Sequence, residues 1–252
     1  MSWKDNIFLM LEDKNYELYD IMHYIQDNLP NKLYRYRCFN DYTHDEISNE
    51  TVFLSNPRNF NDPLDSLPQI YQNSDPSVYS WGGYGVYALI NNWVNNRLEI
   101  LEKMRGNLGI ACFCECCDDF LMWSHYANNH QGYCIEYNTY KLYDLVIGQL
   151  FPVLYLAKHP YYTSGKKSLL ESIIVKDEHW KYEKEWRIIY SNRDISRNSR
   201  FIHLTNCITS LYTGINCKGE NLSYLYHVSE KYNIPLRFIE LNRNYKLEPE
   251  DF

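Results

Sequence analysis

The sequence predicts an α+β fold, a single mixed domain behind an N-terminal helical extension. Two patterns point there: short alternating runs separated by polar turns, and amphipathic helical stretches that fall between them without a regular βαβ rhythm. A third observation is bulk. Of 252 residues, 45% are aliphatic, aromatic or Cys, which is enough to bury one large core without disulfide staples.

Residues 4–29 read as an amphipathic helix, with Ile7, Leu11, Leu18, Met22, Ile25 and Leu29 on one stripe until Pro30 stops it. Residues 1–31 therefore form the extension and 32–252 the domain. Lys32 to Phe39 alternates as a strand, Tyr34 and Tyr36 on one face and Arg35 and Arg37 on the other. Asp41 to Glu50 is expected to be a short polar helix, and Thr51 to Ser55 is a second strand, ended by Asn56-Pro57. Arg58 to Pro63 is a loop of turn formers.

Gly82, Gly83 and Gly85 make a corner before a long amphipathic helix from Val86 to Leu101. Gly109 to Cys114 reads as a core strand, Asp118 as the cap of a short helix through Ala127, and Gly132 as the turn into a strand over Tyr133 to Tyr137. Further strands are expected at Val153–Leu156, Trp186–Tyr190, Phe201–Leu204, Ser210–Thr213 and Leu236–Leu241. Helices are expected at 167–178 and 220–232.

A net charge of −7 argues against a broad, sequence-independent grip on nucleic acid, which needs Lys and Arg to neutralise phosphates. No run reaches the roughly 20 apolar residues that span a bilayer, so no membrane is expected. The first residues carry Lys4, Asp5, Glu12 and Asp13 rather than an apolar leader. With eight scattered cysteines, this points to a cytoplasmic protein with reduced thiols. The 25 tyrosines supply rings with polar tips for surfaces and clefts.

Four constellations carry candidate chemistry. Glu183 and Glu185, two apart at the start of a strand, point into one cleft, where paired carboxylates split their pKa values. The plainer alternative pairs them with Lys181, Lys184 and Arg187 at a solvated face. Arg35 and Arg37 offer guanidinium forks for phosphate or carboxylate, or else decorate an edge strand. Ser55, with Phe60, Asn61 and Asp62 in the loop that follows, either meets a ligand or caps a turn.

The fourth is Trp123-Ser124-His125-Tyr126 with His130, a wall for a flat ring and a place for a His125-assisted nucleophile. Cys112, Cys114, Cys116 and Cys117 lack the second, distant pair of a zinc site. They are read as core thiols, and no metal is expected.

Taken in order, three of these stations resemble the cholera-toxin-like ADP-ribosyltransferases of the arginine-serine-glutamate group. Leu33-Tyr34-Arg35 resembles their opening strand, Phe53-Leu54-Ser55 their serine strand and Glu183-x-Glu185 their glutamate motif. Asn56-Pro57 after Ser55 departs from the full serine-threonine-serine. The chain also resembles an uncharacterised bacterial domain family through Leu33–Arg37, Phe60–Pro63, Met122–Tyr126, Gly132–Glu136 and Glu183–Arg187.

The transferase resemblance implies a split-sheet core and NAD as cofactor-substrate. Arg35, with Arg37 second, would hold the pyrophosphate, and Ser55 would orient the nicotinamide ribose. Glu185 would stabilise the charge that develops as the glycosidic bond breaks, and Glu183 would serve the acceptor. Tyr36, Phe60, Trp123 or Tyr126 would stack on a ring. It further implies a macromolecular acceptor, protein or nucleic acid; the resemblance to the bacterial family implies a toxin or phage-defence role, with an antitoxin or regulatory partner. Two alternatives stand beside it: a metal-dependent nuclease or hydrolase using His125, Asp62 and the glutamates, and a non-enzymatic nucleotide-sensing module.

Overall fold

Alternation in Leu33–Arg37 places β1 (Lys32–Arg37) in the interior of a large sheet, with Leu33 opposite Tyr137 and Arg35 opposite Ile135. The computed structural model describes residues 2–66, 99, 102, 103, 105–160, 165–191, 200–244 and 246–251. Its other strands are β2 (Thr51–Phe53), β3 (Leu108–Cys114), β4 (Tyr133–Asn138), β5 (Leu150–Pro152), β6 (Leu154–Leu156) and β7 (Val175–Asp177). After them come β8 (Glu185–Ser191), β9 (Phe201–His203), β10 (Ile208–Thr213), β11 (Leu236–Leu241) and β12 (Leu247–Asp251).

Eight of these form one sheet in the order β12-β11-β10-β4-β1-β3-β8-β5. All neighbours run antiparallel except β10 and β11. β1 is registered against β4 along its full length, and β3 against β8 from Leu108 to Cys114. β1 and β3, by contrast, meet at one pair, Tyr34 opposite Cys114. The sheet thus has two halves joined at a point. β2 with β9 and β6 with β7 make separate two-stranded ladders.

The helices are α1 (Trp3–Glu12), α2 (Leu18–Gln26), α3 (Thr43–Ser48), α4 (Phe120–Tyr126), α5 (Thr139–Leu145), α6 (Gly165–Ile174) and α7 (Glu220–Tyr232). The single helix expected over 4–29 is two. Asp13 caps the end of α1, a Glu17–Asp20 capping box restarts the chain, and Lys167 Nζ donates to the carbonyls of Met10, Asp13 and Tyr16 between them. Ile7, Leu11, Ile21 and Ile25 nonetheless join the same core as Leu33, Ile135 and Trp186. The extension is part of the domain's packing.

Two local expectations shift. Asp119, not Asp118, caps α4, accepting from the amides of Leu121 and Met122. The helix expected over 167–178 ends at Ile174, and the chain turns into β7, where Lys176 lies opposite Tyr155. The helix expected over 86–101 (apart from Glu99) and the glycine corner lie outside the described residues. No helix among the described residues is long and apolar enough to cross a membrane.

Candidate functional site

Where β1 and β3 part below their single pair, a cavity of about 260 Å³ opens between them. Residues 34–37 of β1 form one wall and Ile110 to Cys114 of β3 the other. Ser55 also lines it. Its amide and carbonyl exchange hydrogen bonds with those of Ile110, at 2.8 Å each, which hooks the end of the second expected strand onto β3. Phe60, Asn61 and Asp65 contribute from the loop that follows, Tyr126 from the end of α4, and Lys176, Glu183 and Glu185 from the far side.

The two arginines of β1 share one carboxylate. Arg35 Nε lies 2.9 Å from one oxygen of Glu46 and Arg37 Nε 2.5 Å from the other. Arg35 Nη1 also donates to the Cys112 carbonyl at 3.3 Å, reaching across to β3. Glu46 sits on α3, within the polar stretch Asp41 to Glu50 expected to be helical.

Glu183 and Glu185 converge, but not by strand alternation. Glu183 ends a 3-10 turn over Glu178–Glu183, Lys184 adopts left-handed backbone at φ 43°, and Glu185 begins β8. The left-handed residue folds the two carboxylates toward the same ammonium. Lys176 Nζ lies 2.5 Å from Glu183 Oε2, 3.2 Å from Glu185 Oε2 and 3.5 Å from Asp65 Oδ2.

Behind them Arg187, fully buried, grips two carboxylates at once. It reaches Glu185 at 2.7 and 2.9 Å and Asp65 at 2.8 and 2.7 Å, and it donates to Ser66 Oγ and the Ile173 carbonyl as well. The cluster holds two cations, Lys176 and Arg187, against three carboxylates. Burying a charge is tolerable when it is paired and hydrogen-bonded in this way.

The two glutamates are driven apart electrostatically. Burial works to raise the Glu185 carboxyl, but Arg187 and Lys176 together overcome it and hold it at about 2. Burial raises Glu183 above the usual carboxylate range, and the charge of Glu185 adds to it, against the pull of Lys176 and Tyr126. One carboxylate stays ionised across the neutral range while its neighbour is poised nearer to protonation. Environments that separate two carboxyls in this way assign acid–base roles.

Of the Trp123–Tyr126 run, one residue faces the cavity. Tyr126 donates to Glu183 Oε1 at 2.6 Å and accepts from Asn61 Nδ2 at 3.2 Å. Trp123 is fully buried. Its Nε1 donates to the Cys117 carbonyl, and its ring meets Tyr36 edge-on, so the expected wall for a flat ring is instead a core residue behind the cavity. Ser124 Oγ lies 2.8 Å from the Phe120 carbonyl and 3.1 Å from His130 Nε2, back-bonded within its own helix. His125 is exposed and lies outside the cavity lining, as does Asp62, which accepts from the Leu64 amide in its own turn. Neither converges with the glutamates.

All eight cysteines are free thiols, and burial pushes Cys112 and Cys114 well above the usual thiol range. Among the described residues no group of His, Cys, Asp and Glu is placed to hold a metal ion.

A family model matches residues 122–188; the family is described as a protein of unknown function (DUF2971). The DUF2971 match begins at α4 and ends within β8, so it takes in Tyr126, Lys176, Glu183, Glu185 and Arg187. Neither a curated protein nor a solved structure matches the chain.

Lys176, Asp65 and Glu46 escape sequence reasoning. Lys176 lies in a stretch that reads as helix, and Asp65 lies beyond the loop motif. Glu46 sits in the polar helical stretch Asp41 to Glu50, where nothing in the sequence marks one acidic residue as buried. The one available signal for Lys176 is a lone cation amid Ser172-Ile173-Ile174-Val175, an apolar setting in which a charge needs a partner.

Proposed function

We propose that this chain is an NAD-dependent ADP-ribosyltransferase working in the cavity between β1 and β3. The observation that supports it is the meeting of Arg35, Ser55 and Glu185, far apart in sequence, around one space in the split of the sheet. At about 260 Å³ the space is near the lower end for ligand pockets. It suits a nicotinamide riboside portion, with the remainder of the dinucleotide directed outward.

In this reading Arg35 and Arg37, oriented by Glu46, meet the pyrophosphate. Tyr36, Phe60 and Tyr126 supply ring faces. The bond between ribose C1′ and the nicotinamide nitrogen breaks, and its electron pair neutralises the pyridinium. The ribose is left with oxocarbenium character, which the ionised Glu185 stabilises. A nucleophile on a macromolecular acceptor then bonds to C1′ and gives its proton to Glu183, the carboxylate of higher affinity for it.

Incubation with NAD labelled in the adenylate, with a cell lysate as acceptor source, tests this. Nicotinamide release and a labelled macromolecule are expected, both lost in Glu185→Gln. An absence of release from the wild type, or equal release from the variant, overturns the proposal.

Nucleotide binding without chemistry is favoured by a different observation: each glutamate already has a cationic partner of its own chain. Saturable NAD binding that persists in Glu185→Gln, with no nicotinamide released, is the outcome that selects it.

A further inference from the structure

Lys176 is 4% exposed, lines the cavity and has three carboxylates around its ammonium. A buried lysine is uncommon because desolvation works against its charge. Here Glu183 from the 3-10 turn, Glu185 from β8 and Asp65 from the turn after Phe60–Asn61 all approach it, and the Trp180 ring lies 4.7 Å from Nζ.

The other ionisable groups around the pair are Arg187, Tyr126, Tyr155, Tyr182, Cys112 and Cys114. Tyr126 donates to Glu183, and the Tyr155 hydroxyl accepts from the Glu185 amide. Arg187 serves Glu185 and Asp65, and no bond joins it to Glu183. Among the described residues, the cation in contact with Glu183 is therefore Lys176.

We propose that Lys176 is a positioning residue that keeps Glu183 ionised towards neutral pH, holding its carboxylate as the nearest cation while Arg187 provides the main grip on Glu185. Without the ammonium, Glu183 keeps one neutral donor, Tyr126, and faces the fixed charge of Glu185 in a buried setting. It must then hold a proton. Glu185 keeps its two bonds from Arg187 and stays ionised. As a statement about protonation this stands on the geometry alone. As a statement about acceptor deprotonation it rests on the transferase reading above.

The test follows the side-chain carboxyl carbons of Glu183 and Glu185 by NMR through a pH titration of wild type, Lys176→Met and Lys176→Arg. In Lys176→Met the Glu183 midpoint is expected to rise by about one pH unit or more, that of Glu185 to rise by less because Arg187 still holds it, and Lys176→Arg is expected to restore both. An unmoved Glu183, or a larger shift on Glu185 than on Glu183, overturns the proposal.

Should Lys176→Met fail to fold, two double variants decide. Lys176→Met/Glu183→Gln is expected to fold with a thermal midpoint near wild type at pH 8, and Lys176→Met/Glu185→Gln is not. Rescue by the second, or by neither, counts against it. If wild type releases no nicotinamide, the transferase reading falls while the carboxyl titration still judges Lys176. Where release is seen, the acid limb of its pH profile is expected to move up with the Glu183 midpoint.

Discussion

Asp65 and Arg187, 122 residues apart in sequence, face each other through two parallel hydrogen bonds of 2.8 and 2.7 Å in a fully buried setting. The pair ties the loop carrying Phe60 and Asn61 to the centre of β8. Removing one partner of a buried pair leaves the other charge uncompensated, which costs about 3–5 kcal/mol. Asp65→Ala is therefore expected to lower unfolding free energy in urea by that order, and the double change Asp65→Ala/Arg187→Met by less than the sum of the two singles.

Lys184 holds its left-handed backbone between the two glutamates, a conformation that disfavours any side chain and branched ones most. Lys184→Gly is expected to raise the thermal midpoint or leave it unchanged. Lys184→Val is expected to lose about 1–2 kcal/mol and to reduce whatever function depends on both carboxylates. Thermal melts of the two variants side by side check this.

Glu171 on α6 is raised to about 7 from an ordinary 4.5 by burial first and by Glu12 of α1 second. Its folded-state affinity for a proton exceeds that of the unfolded chain. The stabilisation it gives is complete below about 4.5 and is lost as pH rises through about 7. Glu171→Gln should accordingly be more stable than wild type at pH 8, with the advantage gone at pH 4. Urea midpoints at the two pH values measure it, and a constant difference would refute the assignment.

Tyr126→Phe removes a 2.6 Å bond to Glu183. Leaving a buried acceptor short of a donor costs about 1–3 kcal/mol. Because the loss bears on the ionised carboxylate, the stability difference from wild type should be larger at pH 8 than at pH 5. Calorimetry at both values reads it out.

Gly132 turns the chain from α4 into β4, and a Cβ there would sit 2.1 Å from the Arg37 carbonyl oxygen. Backbone cannot retreat as a flexible side chain can, so Gly132→Ala is expected to lose about 1–3 kcal/mol or more. Its neighbour Gly214 meets the same limit against the His130 carbonyl and serves as the matched comparison.

Much of the strand content is legible in the sequence because period-two alternation and turn residues mark it, as in Leu33–Arg37 and Tyr133–Tyr137. The site is legible as far as Arg35, Ser55, Tyr126, Glu183 and Glu185, which do line one cavity. What stays hidden depends on distant partners. Lys176 needs β6 beside it to be a strand residue, and Asp65 needs Arg187, 122 positions on, to be a buried carboxylate. The break at Asp13–Glu17 is hidden for another reason: the apolar stripe continues through it, and the capping box that restarts the helix, Glu17 with Asp20, is made of ordinary acidic residues. Trp123 shows the converse, a conspicuous residue whose work is packing.

The edge of β3 that faces the split has consequences for how the cavity can change over time. Along that edge Cys114 meets β1, the Cys112 carbonyl accepts from the Arg35 guanidinium, and both main-chain groups of Ile110 are taken by Ser55. Arg35 and Ser55 act together as a surrogate strand, completing a ladder whose natural neighbour has turned away. A lineage that altered the Arg35 side chain would strip Glu46 of one of its two cations and orphan a peptide carbonyl in the same step. The residue is doubly constrained, and drift at that position should be slower than its place at the rim of a cavity would suggest.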